Sequence, residues 1–343
     1  MISTRKLAEL AGVSQSTVSR SLNDRPEIPP DTKERIRALA REHGYVVRKK
    51  SKKTICSSQR KAIGVLMMRH MFFDDLFINQ LVCILNSIIE DENYYAMPLL
   101  DFGGQSGVEK LRDLLSLGLI EGFIIINREY DEVIDQYFNE IGIPHVYLIY
   151  HLRHSTKQAN IIDTDNFAGG YMATKHLIDL GHRRIATMTA VLDEFVDRTN
   201  GYREALREAG IPFDADLVFG FDGEPDYDTS YRIIEEHLEV FQDATALFVQ
   251  YDVGAISAMG ALYDHGYRVP KDISVIGLDG LGIGAMYRPA LTSISQPCHD
   301  LARQAVERLL QIVNQPGSHI VQGKIYLRPE LVLRSSTAAF VPK

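Results

Sequence analysis

The stretch AELAGVSQSTVSRSL, Ala8–Leu22, decides the fold of the first part of the chain. Leu7, Ala8 and Ala11 fall on one stripe of a helix over Arg5–Ala11. Gly12 breaks that helix, and Ser14 suits the N-cap of a second one, whose inner face is Val18 and Leu22. Helix, Gly-containing turn and helix make a helix-turn-helix. The second helix turns Gln15, Ser16, Ser19 and Arg20 away from its apolar face. Gln and Arg can bond base edges bidentately in the DNA major groove, and Ser and Thr reach bases or phosphates. A polar helix face by itself is ordinary solvated surface, so the weight comes from what surrounds it.

Pro29-Pro30 opens a third helix that keeps Ile36, Leu39 and Ala40 at helical spacing, with His43 on the same face and Gly44 as its stop. Arg48–Lys61, RKKSKKTICSSQRK, then carries seven basic residues and no acidic one, with almost no core-forming pattern, and reads as a linker. Residues 1–61 hold 15 Lys+Arg against 6 Asp+Glu, a net +9, while the rest of the 343 residues holds 22 against 39, a net −17. A basic head on an acidic body predicts that the head meets a polyanion and the body does not.

From Ala62 the rhythm changes. Apolar strands such as AIGVLM, Ala62–Met67, alternate with helices as far as Ile149, and the alternation restarts after about residue 161. That pattern predicts α/β architecture, with two doubly wound parallel-sheet lobes and a ligand cleft between them. The second series includes helix Arg198–Gly210, strand Leu217–Phe219, helix Asp228–Val240 and strand Ala244–Val249. Three organisational units follow. They are a helix-turn-helix domain over 1–47, a basic linker over 48–61, and a two-lobed body over 62–343. The N-lobe is expected at about 62–160 and 291–320, the C-lobe at about 161–290 and 321–337. Crossing segments are expected near Ile149–Ile161, near Gly282–Ile294 and in the C-terminal stretch.

The apolar content of 45% supports a real core, and no apolar run approaches the ~18–20 residues that span a bilayer. The N-terminus lacks an apolar signal region, and Cys56, Cys83 and Cys298 are far apart, so a cytoplasmic location is expected. The sequence gives no metal-ligand cluster, no Walker-type loop, no HExxH and no GxSxG, so no catalytic residue and no cofactor are assigned. DGLGIGAM, Asp279–Met286, has the wrong spacing and place for a dinucleotide fingerprint. Several polar groups do fall at successive strand ends of the second series: Asp165-Asn166, Arg198 after the acidic run Asp193, Glu194 and Asp197, Asp252, and Asp279. In doubly wound sheets, ligands bind at the carboxyl ends of strands.

Four ordered motifs now carry a resemblance. AGVSQSTVSRSLN (Ala11–Asn23) is joined by GHRRIA (Gly181–Ala186), RVPKDISVIGLD (Arg268–Asp279) and LTSISQP (Leu291–Pro297). End to end, the chain resembles the lactose/galactose repressor (LacI/GalR) family of bacterial transcription regulators. The resemblance implies that Gln15, Ser16 and Arg20 read bases, and that Ser14, Thr17, Ser19 and Asn23 touch phosphates. It implies a homodimer on a near-palindromic double-stranded DNA operator, in keeping with the two-fold logic of half-site readers. It also implies effector contacts at Arg198, Asp279 and Asp165, with Asp74–Phe77 (DDLF) supplying contacts from the other lobe through Asp74 and Phe77. Asp, Arg and an aromatic plate together suit a sugar's vicinal hydroxyls and C–H face.

Two places depart from the family pattern. After Gly44-Tyr45 there is no Pro and no Ala-Arg-x-Leu, so the minor-groove element rests either on Ile55 as a wedge or on the charge of Lys49, Lys50, Lys52 and Lys53, unless the linker is only a flexible tether. Tyr251 stands where the family often has Asn, and a phenol there is expected to shrink the pocket. The acidic run before Arg198 favours a neutral saccharide over a sugar phosphate, nucleotide or purine. The expectation is a DNA-binding transcription regulator, a repressor, gated by a small carbohydrate. The alternative is a sugar-binding sensor without DNA function.

Overall fold

A computed structural model describes residues 4–22, 28–42, 60–67, 75–126, 131–149, 159–221, 227–315 and 323–342. The chain divides into two compact units, residues 1–59 and residues 60–343.

In the first unit, α1 (Thr4–Ala11), α2 (Gln15–Leu22) and α3 (Pro30–Glu42) enclose a small core of Ala8, Ala11, Val18, Ile36 and Ala40, flanked by Val13, Leu22 and Leu39. The turn between α1 and α2 needs Gly12, whose φ is +64°. Ser14 then accepts the Thr17 backbone N–H at 3.1 Å, closing the start of α2. An Arg35 guanidinium N–H donates to the Ala11 carbonyl at 3.1 Å and ties α3 to the end of α1.

Among the described residues, the second unit holds two six-stranded sheets. The N-lobe sheet uses β1 (Ala62–Met67), β2 (Tyr95–Leu100), β3 (Ile120–Ile126), β4 (His145–Leu148), β5 (Ile161–Thr164) and β11 (Lys324–Leu327), in the order β11-β5-β4-β3-β1-β2. Its pairings are all parallel. The helices beside it are α4 (Leu76–Asp91), α5 (Gly104–Leu115) and α6 (Glu132–Ile141), joined by α12 (Cys298–Asn314). Apolar β-branched strands buried on both faces explain its two cores. One is built around Ile63, Val65, Ile124, Leu81 and Leu301, the other around Leu66, Phe123, Ile125 and Phe138.

The C-lobe sheet uses β6 (Ile185–Ala190), β7 (Val218–Phe221), β8 (Ala246–Val249), β9 (Ser274–Asp279), β10 (Thr292–Ser295) and β12 (Glu330–Val332), in the order β12-β10-β9-β8-β6-β7. It is parallel except for β12, which pairs antiparallel to β10. Around it lie α7 (Asn166–Asp179), α8 (Asp193–Glu208), α9 (Tyr227–Glu236), α10 (Leu238–Phe241) and α11 (Asp252–Asp264). The GHRRIA motif has a structural reason here. Buried His182 reaches Thr245 Oγ1 at 3.0 Å, Ser274 Oγ at 3.1 Å and the Ala338 carbonyl at 3.1 Å, pinning the C-terminal segment to the lobe.

The strand order corrects the expected lobe boundaries. Residues 161–164 (β5) and 324–327 (β11) belong to the N-lobe sheet, and residues 292–295 (β10) to the C-lobe sheet. The chain therefore crosses between lobes at 164–166, 295–298 and 327–330, slightly later than the sequence pattern placed it. The reason is pairing at long range. Ile161–Thr164 bonds to Lys324–Leu327, which no local periodicity reveals. The expected helix Asp228–Val240 is broken at His237, between α9 and α10. The expected helix Arg198–Gly210 instead begins at Asp193, because acidic residues are favourable in the first turn of a helix.

Candidate functional site

In the first unit, Ser14, Gln15, Ser16 and Arg20 are exposed and Thr17 is half-buried, while Val18 is fully buried. The side chain of Ser19, and Asn23, Lys49, Lys50, Lys52, Lys53 and Ile55, lie outside the described residues, as does Asp74.

In the second unit, a polar assembly gathers at the carboxyl ends of the C-lobe strands and at the crossings. Arg198 lies in the second turn of α8 and is only 5% exposed. Its Nε donates to Asn166 Oδ1 at 2.9 Å and its Nη1 to the Gln250 carbonyl at 2.5 Å. Its guanidinium carbon sits 4.9 Å from the Phe195 ring centroid. Two glycines allow this placement. A Cβ on Gly170 would overlap the Arg198 backbone carbonyl, and one on Gly201 would overlap the Phe167 carbonyl, so α7 and α8 cross with their backbones in contact. Beneath Arg198 the Gln250 amide is fully buried. Its Nε2 donates to Thr199 Oγ1 at 3.0 Å and Thr187 Oγ1 at 3.3 Å, and its Oε1 accepts from Thr189 Oγ1 at 3.0 Å.

Asp279 ends β9 with φ +134°, a conformation L-residues rarely take, followed by Gly280 at φ +75°. Its Oδ1 accepts from Gln296 Nε2 at 2.7 Å and its Oδ2 from the Asp252 backbone N–H at 3.3 Å. Gln296 Oε1 accepts from Thr164 Oγ1 at 2.7 Å, so the network spans two of the crossing segments. Behind it, fully buried Asp252 accepts from Ser293 Oγ at 2.6 Å and from the Leu281 backbone N–H at 2.7 Å.

Asp279 keeps a solvent-reached edge, yet the atoms packed round it push its carboxyl up to about 7. Arg198 opposes that rise, whereas the negative charges of Asp252 and Asp75 add to it. Burial raises Asp252 to about 6 against the bonds from Ser293 and Leu281. Cys298, at the head of α12, is raised to about 12 by burial and by the nearby Asp279 charge. From the N-lobe, Asp75 caps α4, accepting the Phe77 and Ile78 N–H groups at 2.9 and 3.0 Å.

Arg198 and Asp279 thus come together. Asp165 instead caps α7, accepting the Ala168 N–H at 2.9 Å. Tyr251 does not shrink the cleft. It packs in the C-lobe core, edge-on to Phe195 and Phe221, with its hydroxyl 2.6 Å from buried Ser230 Oγ. Phe77 is likewise a core residue, 5% exposed, among the N-lobe apolars. The acidic residues before Arg198 belong to α8, Asp193 and Glu194 in its first turn and Asp197 just after it; Glu194 is buried. Sequence reasoning did not assign Asp75, Asn166, Gln250 or Gln296 to the site, although Asp75 lies within DDLF, Asn166 beside Asp165 and Gln296 within LTSISQP.

An arginine fork beside an acceptor carboxylate suits a ligand with neighbouring hydroxyls. Among the described residues, no group of three or more His, Cys, Asp or Glu could hold a metal ion, and no helix is long and apolar enough to cross a membrane.

Residues 5–47 match the profile of bacterial regulatory proteins of the lacI family, and residues 174–337 match a periplasmic binding protein-like domain. The chain is 30% identical to the HTH-type transcriptional regulator MalR of Clostridium butyricum, covering 97% of this chain and 98% of that protein. It is 29% identical to the HTH-type transcriptional regulator CelR of Thermobifida fusca, covering 94% and 96%. It is 30% identical to the HTH-type transcriptional repressor PurR of Vibrio atlanticus, covering 98% of each. Among solved structures, a transcriptional regulator CelR–cellobiose complex superposes with TM-score 0.71 at 27% identity, covering 98% of this chain and 100% of that one. The lac repressor dimer bound to operator and the anti-inducer ONPF gives 0.70 at 25% identity, covering 98% and 99%.

Proposed function

The chain belongs to the LacI family of bacterial regulatory proteins, and from that premise we propose that a small neutral saccharide, held by Arg198 and Asp279, controls how tightly a homodimer grips a near-palindromic operator. The chain is a DNA-binding transcription regulator and not an enzyme. In this reading residues 1–47 bind DNA, with Gln15, Ser16 and Arg20 on base edges and Ser14, Thr17, Ser19 and Asn23 on phosphates. Residues 48–61 contribute charge through Lys49, Lys50, Lys52 and Lys53, with Ile55 at the minor groove. The protein acts in the cytoplasm as a repressor.

The observation that carries the effector reading is the electrostatic closeness of Arg198 on α8 to Asp279 at the end of β9, each oriented by hydrogen bonds to amide groups. The surroundings favour a neutral ligand over an anion. Asp75 and Asp252 both press on Asp279, and acidic Asp193 and Glu194 occupy the first turn of α8, where a phosphate would want free N–H groups. The CelR–cellobiose likeness supports a sugar over a purine. The physical content is a coupling free energy, so the saccharide must bind the operator-bound and operator-free forms with different affinity.

The test is operator binding by the full chain, with and without cellobiose and other neutral sugars. Wild type should change its operator affinity with at least one sugar. Arg198→Ala should keep basal operator affinity while weakening sugar binding about 100-fold, as expected for a lost buried charged hydrogen-bond set. A normal sugar response in Arg198→Ala refutes the site.

A further inference from the structure

The least explained group in the assembly is Asp252. Its carboxylate is fully buried and belongs to the first turn of α11. It spends both oxygens on the chain that follows Asp279: Oδ2 accepts the Leu281 N–H at 2.7 Å and Oδ1 accepts Ser293 Oγ at 2.6 Å. Ser293 Oγ in turn receives the Gly280 N–H at 3.1 Å. The Asp252 backbone N–H reaches forward to Asp279 Oδ2 at 3.3 Å. A Cβ on Gly277 would overlap Asp252 Oδ1, so β9 leaves room for this one side chain.

We propose that Asp252 is a positioning residue for effector recognition: it clamps the Gly280–Leu281 turn, fixes the orientation of Asp279, and makes the two carboxylates one protonic unit, so that filling the cleft releases a proton. This rests on the saccharide reading of the cleft.

The charged and titratable neighbours set the sign. Asp279 faces Arg198 of α8, Asp75 ahead of α4, Asp252 of α11 and Cys298 of α12, and Asp252 also feels Arg334 beyond β12. Two buried acids beside one another cannot both ionise freely, so burial and the partner's charge hold the last proton of the pair up toward the neutral range. A sugar hydroxyl donating to Asp279 favours the ionised carboxylate. The proton of the acid form goes to solvent, and affinity rises as pH rises through the neutral range.

The experiment follows Asp carboxyl carbons by NMR in the full chain between pH 4 and 9, in wild type, Asp252→Asn, Ser293→Ala and Asp279→Asn. The last variant assigns the Asp279 signal. Wild type should show two carboxyls titrating near neutrality. Asp252→Asn keeps an acceptor but removes the charge, so the Asp279 midpoint should fall by at least one pH unit. Ser293→Ala, which leaves both acids in place, should raise the Asp252 midpoint. An Asp279 midpoint unmoved in Asp252→Asn, with Asp252 unmoved in Ser293→Ala, overturns the proposal.

Calorimetry with cellobiose as probe, in phosphate and in imidazole buffer at pH 6 and above neutrality, reads the coupling. Wild-type heats should differ between buffers at pH 6 by the signature of a released proton, and that difference should shrink in Asp252→Asn. Equal wild-type heats in both buffers overturn the coupling. Absence of any cellobiose heat counts against the saccharide reading, while the carboxyl titration alone still decides the role of Asp252.

Discussion

The two lobes share a sheet order, strand for strand, and β1–β4 and β6–β8 all end in apolar residues, yet the C-lobe gathers more buried polar side chains in and just past its strands. N-lobe strands β1 to β4 end in Met67, Leu100, Ile126 and Leu148. The C-lobe carries buried Thr187 and Thr189 on β6, Gln250 just past β8, Asp279 on β9 and Gln296 just past β10. Buried polar networks are costly unless fully satisfied. The C-lobe network is satisfied in advance, so it presents oriented donors and acceptors, while the N-lobe brings mainly apolar strand ends and Asp75. On the proposed reading, the C-lobe would choose the ligand and the N-lobe would cover it.

The sharpest way to break this contrast is through glycine. Gly170→Ala sets a Cβ against the Arg198 backbone, which cannot step aside, and should cost about 3 kcal/mol or more in a denaturant titration. Gly64→Ala in the N-lobe meets the Phe123 ring, a side chain able to tilt, and should cost about 1–2 kcal/mol. Equal losses would mean that the lobes are packed alike.

The next effect is electrostatic. Asp252 and Asp279 have folded-state values raised to about 6 and 7 against an unfolded value near 3.8. Such groups contribute stability that is fully present below about pH 4 and lost as pH rises through 6 to 7. Replacing both by Asn should therefore flatten the pH dependence, by an amount on the order of a few kcal/mol between pH 4 and 8. Thermal unfolding across that range checks the sign; a steeper profile in the double variant contradicts it.

Smaller effects sharpen the comparison at helix caps. Asp131 accepts the Val133 and Ile134 N–H groups at 3.1 Å and also the Gly104 N–H at 2.8 Å, fastening two N-lobe helices. Its change to Ala should cost about 2 kcal/mol, and that of Asp165, which caps α7, about 1 kcal/mol. Sugar affinity should survive Asp165→Ala; a tenfold loss restores Asp165 to the effector site. Tyr251→Phe should cost about 1 kcal/mol for the lost Ser230 partner and leave sugar affinity alone.

What was legible in the sequence follows the range of the forces involved. Gly12, Ser14 and the Val18–Leu22 stripe act within a few residues, and they specified α1 and α2 closely. Continuous apolar runs announced β1, β3 and β9. Short β11, KIYL, and β12, ELV, gave no such signal, because their identity lies in partners more than thirty residues away. Arg198 and Asp279, picked out by position and motif, do lie near each other in the structure. Tyr251 and Phe77 were misplaced because pattern tells which residue stands near a strand end, and only packing tells which way its side chain turns.

The exchange of strands at 164–166, 295–298 and 327–330 has a consequence during synthesis. The N-terminal sheet lacks its outermost member until Lys324–Leu327 has left the ribosome, although its first strand emerged more than 250 residues before. At roughly 5–20 residues per second, the nascent lobe waits many seconds with β5 as an open edge. Neither lobe can be excised as one continuous piece, and a truncation ahead of residue 324 should strip both sheets of their final strands.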